Sequence, residues 1–253
     1  MAGTAHCRCL APHTGDSPVN KIKLGYALAV ALTALPLSAL AQDEEASSPF
    51  SASFGVTSDY VFRGVSQTDE EPAFQAGVTY TSPIGLYVGV WGSNVDFGPG
   101  DPDWEVDGFI GYGVDFAENW NFDVMINRYG YPGAGAANYN ELITKTTFLD
   151  TYALTVAYTD DVYGLDEDSF YYALDGNWAL PQDFSIGAHV GRTTYASALP
   201  EWQDYTDYSV TVGKSFGPLG LTVGYYDTDD KGTQNFGEKL ADHRVAVSAT
   251  VSF

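Results

Sequence analysis

From Phe50 onward the side chains alternate between apolar and polar, a period that no helix can use. In the segment FSASFGVTSDYVFRG, Phe50, Ala52, Phe54, Val56, Tyr60 and Phe62 share one parity, while Ser51, Ser53, Thr57, Asp59 and Arg63 share the other. A repeat of two residues means an extended strand with one apolar and one polar face. The pattern returns along the whole chain and predicts strands near 50–66, 72–81, 86–95, 104–116, 120–129, 139–148, 152–159, 169–178, 184–192, 205–216, 221–226 and 244–253. The sixth carries the weakest signal, because Thr144 and Thr146 fall on its apolar parity.

The connections alternate as well. Ser82-Pro83-Ile84-Gly85, Ala117-Glu118-Asn119, Leu149-Asp150-Thr151, Ala179 to Asp183 and Gly217-Pro218-Leu219-Gly220 are short turns. Longer loops lie between them, around 96–103, 130–138, 160–168, 193–204 and 227–243. An even number of strands, with short turns at one end and long loops at the other, predicts an all-β transmembrane antiparallel up-and-down β-barrel of about 12 strands.

The short-turn ends of the strands sharpen this reading. They carry Phe50, Tyr80, Leu86, Phe116, Trp120, Phe148, Tyr152, Trp178, Phe184, Phe216, Leu221 and Phe253, all on the apolar parity of their strands. A soluble sandwich has no reason to ring one end with aromatics, whereas a membrane interface favours them. The last strand, RVAVSATVSF, alternates cleanly and ends on Phe253. It is similar to the terminal signal read by the barrel-assembly machinery of outer membranes, which is the expected assembly partner.

Composition excludes several alternatives. With 33 Asp and Glu against 11 Lys and Arg, the chain has a net charge of -22 and lacks the basic surface that nucleic acid requires. Its 45% hydrophobic and 15% aromatic content argues against disorder. The longest apolar run, Leu24 to Ala41, follows Lys21 and Lys23, contains Pro36 and closes on Ala39-Leu40-Ala41. Those features predict a cleaved signal peptide. Residues 1–41 are therefore expected to be removed, 42–49 to form a polar periplasmic linker, and 50–253 to form the barrel. Residues 1–20 are long for a leader, and Val19 is the expected true start. Cys7 and Cys9 both precede the cleavage point, so the exported chain has no thiol for a disulfide or a metal.

Three segments carry a family likeness: SDYVFRGVSQT at 58–68, PAFQAG at 72–77 and GVWGSNVD at 89–96. They resemble the TorF family of proteobacterial outer-membrane porin-like proteins. Glu105-Val106-Asp107 and Phe253 continue the likeness over the exported chain. The resemblance implies a barrel in the outer membrane of a Gram-negative cell and a transport role, and it brings no catalytic or ligand residues with it.

Candidate site residues rest on parity. The polar parity holds the acids Asp59, Glu105, Asp107, Asp115, Asp123, Glu141, Asp175 and Asp207 and the bases Arg63, Lys145 and Arg244. An acidic lining inside a low-dielectric wall concentrates cations. The expected function is passive, cation-preferring diffusion of small hydrophilic solutes past Asp59, Arg63, Glu105, Asp107, Asp115, Asp123, Glu141, Lys145 and Asp175. Arg63 and Asp59, four apart on a strand, would sit about 13 Å from each other. Arg63 is then either a cation placed opposite the acids at a constriction or half of a structural ion pair with a neighbouring strand's carboxylate. Arg128 and Arg192 share the apolar parity near the long-loop ends, where they are expected to meet lipopolysaccharide phosphates. The alternatives are a closed structural or adhesion barrel acting through its acidic loops, and a barrel enzyme. The enzyme reading is weak, because His189 and Ser185 are about 13 Å apart along one strand, beyond nucleophile–base reach. The segment 227–238 matches a calcium-loop template at four positions, but Lys231 stands where an oxygen ligand is needed. Neither a cofactor nor a bound metal is expected, and the barrel is expected to be monomeric.

Overall fold

A computed structural model describes residues 48–98, 101–196 and 202–253. The expected signal peptide (1–41) and most of the expected linker (42–49) lie outside the described residues. The chain begins with β1 (Phe50–Thr57), a short pair β2 (Val61–Phe62) and β3 (Val65–Ser66), and β4 (Ala73–Thr81). It continues through β5 (Leu86–Asn94), β6 (Trp104–Ala117), β7 (Trp120–Gly130), β8 (Tyr139–Phe148) and β9 (Tyr152–Thr159). Then come β10 (Ser169–Leu180), β11 (Phe184–Tyr195), β12 (Tyr205–Phe216), β13 (Leu219–Thr228), the helices α1 (Asp230–Phe236) and α2 (Glu238–Ala241), and β14 (Arg244–Ser252). All strands except β2 and β3 form one closed antiparallel barrel, each beside its sequence neighbour, with β14 returning to β1.

The wall follows from the alternation. One parity points outward and stays exposed, as with Phe54, Val78, Val90, Ile110, Leu174, Val212 and Val247. The other points into the lumen. At the short-turn end Trp120 lies 4.5 Å from Phe148, and Phe50 lies 5.2 Å from Tyr80, ring centre to ring centre. Phe253 joins this rim through paired backbone bonds with Ala52, at 2.9 and 3.1 Å. An apolar exterior, a polar interior and closure without sheet edges are what a bilayer demands of a strand-built wall, and they place the chain in an outer membrane. Outward Thr144 on β8 fits this surface by donating to the Val156 carbonyl at 3.1 Å. The three-residue turn between β8 and β9 takes positive φ at both Leu149 and Asp150 and is closed by the Thr151 amide donating to the Phe148 carbonyl at 3.1 Å.

The structure departs from the predicted first strand. β1 stops at Thr57 rather than running to residue 66. The chain then folds back, and β2 and β3 pair as a hairpin, Phe62 opposite Val65, with Arg63 and Gly64 at its tip. Both tip residues have positive φ, 45° and 78°. Alternation continues across this point, so periodicity could not reveal it. Gly64 is the feature that permits the turn. Arg63 is therefore at a hairpin tip and not on a wall strand, so the 13 Å spacing from Asp59 does not apply. The segment 227–238 also differs from its template, since most of it is helix α1. Asp229 caps that helix by accepting from the Lys231 and Gly232 amides at 3.1 and 3.2 Å.

Candidate functional site

Lumen-facing side chains change character along the wall. Toward the short turns they are small, hydroxylated and partly exposed, as with Ser53, Thr79, Thr155, Thr211, Thr222 and Thr250. Toward the long loops the same parity is buried: Thr57, Ser93, Asn127, Thr159, Thr193 and Thr228. The hairpin causes the difference. It folds inside the barrel, leaving Val65 and Ser66 1% exposed and Gln67 and Thr68 0% exposed. An aromatic layer packs around it. Tyr60 and Phe62 cluster with Tyr129, Tyr131, Tyr139 and Tyr163, while Val65 packs with Tyr205 and Phe236.

Two ion pairs fasten the hairpin to the wall. At its tip, Arg63 Nη2 donates to both Glu141 oxygens at 2.9 Å, and its guanidinium carbon lies 4.0 Å from the centre of the Tyr171 ring. Tyr129 also donates to Glu141, at 2.9 Å, and Tyr205 donates to the Arg63 carbonyl at 3.2 Å. At the base of the hairpin, Asp59 accepts from Ser66 at 2.6 Å, from Thr68 at 3.1 Å and from Arg244 of β14 at 3.1 Å. Arg244 reaches on to the carbonyls of Lys239 and Asp242, which ties the helical loop to the same anchor. At the outer surface Lys239 bonds Asp69 at 2.6 Å, and that bond holds the ammonium pKa above its ordinary value.

Below the hairpin tip, Tyr171 links a second group. His189 bridges Asp175 at 2.7 Å and Asp207 at 2.9 Å, and the Tyr171 hydroxyl lies 2.9 Å from the same imidazole. Gly191 makes this possible, because a Cβ there would collide with the Tyr171 hydroxyl. His189 is thus engaged with carboxylates and a phenol and has no contact with Ser185 in this arrangement. Among the described residues no three Asp, Glu, His or Cys side chains converge as a metal-holding group.

The nine candidate lining residues separate into two sets. Asp115, Asp123, Lys145 and Asp175 face the partly open half of the lumen. There Asp123 accepts from Tyr87 at 2.8 Å, Asp115 accepts from Asn121 at 2.9 Å, and Lys145 is the cross-strand partner of Asp123. Asp59, Arg63, Glu105, Asp107 and Glu141 are gathered in or against the buried hairpin. On the outer face, Arg128 donates to Asn140 at 3.4 Å, and Arg192 donates to Thr206 at 3.1 Å and pairs with Asp204 at 3.5 Å. Sequence reasoning singled out none of the tyrosines that connect the buried charges. The one available signal was that Tyr129, Tyr139, Tyr171 and Tyr205 carry lumen parity at the long-loop ends of their strands.

Comparison with solved structures recovers the same architecture. A KdgM porin in complex with disordered oligogalacturonate superposes with a TM-score of 0.55 at 8% identity, over 80% of this chain and 99% of that one. A NanC porin gives 0.52 at 10% identity, over 81% and 98%. At such identities the likeness concerns the fold. No curated protein matches in sequence. A model for a bacterial protein family of unknown function, Gcw_chp, matches residues 42–253, and the chain belongs to that family.

Proposed function

We propose that the chain is an outer-membrane diffusion channel for small hydrophilic solutes, with a preference for cations, whose long-loop half is gated by the 58–72 hairpin. The observation that carries this reading is the change in the lumen lining, from a partly exposed Ser/Thr surface to a half filled by one loop. A barrel interior built for packing alone would be apolar throughout. This one is polar toward the short turns, and the element filling the other half is held by ion pairs and hydrogen bonds as well as by its aromatic layer. The at least partly exposed acids Asp115, Asp123 and Asp175 outnumber Lys145 even when His189, which Asp175 shares with Asp207, is counted as a cation, and that favours positive or neutral solutes. The similar KdgM barrel is described with an oligogalacturonate, an acidic sugar chain, whereas the lining here suits the opposite charge. The likeness of 58–68 and its companion segments to TorF porins supports the same transport class.

The supporting assignments follow from position. Arg128 and Arg192 stand on the outward face at the long-loop ends, where lipopolysaccharide phosphates would meet them. Charge reversal of both should reduce co-purifying lipopolysaccharide. Phe253, seated in the rim beside β1, is the residue the assembly machinery would read. A second reading, a closed barrel that binds a partner through its acidic loops, draws on the depth of the hairpin's burial. Single-channel conductance of the refolded chain in a planar bilayer under a salt gradient separates the two. Discrete steps with a cation-selective reversal potential support the channel. Persistent silence from heat-modifiable, folded protein rejects it in favour of the closed barrel.

A further inference from the structure

The buried acids around the hairpin do not balance locally. Arg244 answers Asp59, Arg63 answers Glu141 and His189 answers Asp207, each through a direct contact. Glu105 and Asp107, 0% and 1% exposed, have no cationic partner among the described residues. They are two apart on β6, so both point to the same side of the wall, about 7 Å apart at Cα by the strand rise. Carboxylates buried this far from water require a compensating charge or proton.

Two neutral oxygens beside the pair, and carboxylate oxygens of the pair itself, are left without a bond. Asp107 Oδ2 accepts from the Asn127 amide at 3.0 Å, but Asn127 Oδ1 and Asp107 Oδ1 have no hydrogen-bond partner, and neither does the Tyr131 hydroxyl. Asn127 is 3% exposed and Tyr131 is 1% exposed. The β6–β7 register ends with Val106 opposite Gly130, which brings Tyr131 opposite Glu105 at the next step. Burial first, and then the nearby Glu105 carboxylate, holds the Tyr131 phenol well above its ordinary pKa, so it stays neutral. Native interiors seldom leave so many polar atoms unpaired in one place.

We infer that Glu105, Asp107, Asn127 and Tyr131 form a binding site for a hard divalent cation, calcium by its all-oxygen donor set, at the seam between the barrel wall and the inward hairpin. Two carboxylates neutralise the ion, and a carboxamide and a phenol add neutral oxygens. Calcium accepts such mixed sets at about 2.3–2.6 Å with flexible geometry, and water completes its shell. Tyr60, at the start of the hairpin, packs against Trp91 of the wall and lies near Glu105. The ion would therefore brace the closed hairpin against β6 and β7. This inference does not depend on whether the lumen conducts.

The test is calorimetric titration of calcium chloride into the refolded full chain after chelator treatment, with thermal unfolding followed in parallel. The expected result is one site per chain and a raised unfolding temperature. Both effects should be lost in the double variant Glu105→Gln/Asp107→Asn and kept in Asp166→Asn/Asp168→Asn, which thins the exposed loop acids. A second variant guards against misfolding of the first. Asn127→Asp adds a third carboxylate, which should tighten calcium binding and lower stability when calcium is absent. No stoichiometric binding by the wild type overturns the site. So does binding that survives the double variant, which would assign the calcium to the acidic loops. A wild type that binds no calcium but gains stability on acidification would mean that the pair shares a proton instead.

Discussion

Arg63 and Glu141, 78 residues apart in sequence, meet inside the barrel with the guanidinium 2.9 Å from both carboxylate oxygens. Their side chains are 10% and 3% exposed, so the pair is sheltered from water and salt. The contact joins the tip of the inward hairpin to β8 on the wall, and Tyr171 closes over the guanidinium at 4.0 Å. The arrangement that fills the lumen thus combines one buried ion pair at the tip with the apolar packing of Phe62 and Val65 on either side of it.

Removing one partner strands a buried charge. Arg63→Ala should destabilise the barrel by about 3–5 kcal/mol in urea unfolding, the usual cost of breaking a buried pair. In planar bilayers it should also raise the open probability, because the hairpin tip loses its hold on the wall. Arg63→Met combined with Glu141→Leu should recover part of that stability, since a matched apolar pair leaves no charge behind, while the buried Tyr129 hydroxyl loses its acceptor. A single variant with unchanged stability and unchanged gating would remove the ion pair from any such role.

The hairpin turn offers an independent handle on the same element. Gly64 has φ +78°, and a Cβ there would press on Thr228, on Asp207 and on the Asp227 carbonyl. Gly64→Val should prevent the tip from seating, at a cost of about 1–3 kcal/mol for backbone strain. Limited proteolysis should then cut within 58–72, while the wall keeps its heat-modifiable mobility in gels. Protection equal to that of the wild type would mean that the turn tolerates a side chain.

Most of the wall was legible in the sequence because alternation and bilayer chemistry report the same thing. Residues such as Val78, Val90 and Val212 must face lipid, and their neighbours must then face inward. The boundaries of β4 through β14 fall close to their predicted positions for that reason. The hairpin was not legible, because Tyr60 and Phe62 keep the parity of β1 while pointing at a different environment. Parity states which side of a strand a residue occupies, but not whether the strand still belongs to the wall. That Arg63 would pair with a carboxylate of the wall was one of the two readings its position allowed, but the partners themselves, Glu141 for Arg63 and Arg244 for Asp59, were not legible, since they follow from a loop folding across the lumen. The sorting of Asp115, Asp123, Lys145 and Asp175 onto the lumen face needed only the local period.

Those four residues make the charge preference testable. Asp123→Asn and Asp175→Asn should each move the reversal potential under a salt gradient toward anions. Lys145→Gln, opposite Asp123 across β7 and β8, should move it further toward cations. If the three changes leave the reversal potential where it was, the selective charges lie elsewhere along the path.

The outward face makes a prediction that does not depend on transport. Val90 lies mid-strand on β5 and is 52% exposed, so it meets the hydrocarbon centre of the bilayer. Val245 is 63% exposed but is the second residue of β14, close to the long-loop rim. Both are exposed valines on regular strands, and neither change removes a hydrogen bond. In water the two substitutions to arginine would therefore be nearly equivalent. In a membrane they are not, because the cost of a guanidinium depends on depth. Val90→Arg should lower folding stability in lipid vesicles by about 2–4 kcal/mol, against about 0–1 kcal/mol for Val245→Arg. Equal costs at the two sites would mean that the bilayer does not sit across the wall at the height the aromatic ring of Phe50, Trp120 and Phe253 marks.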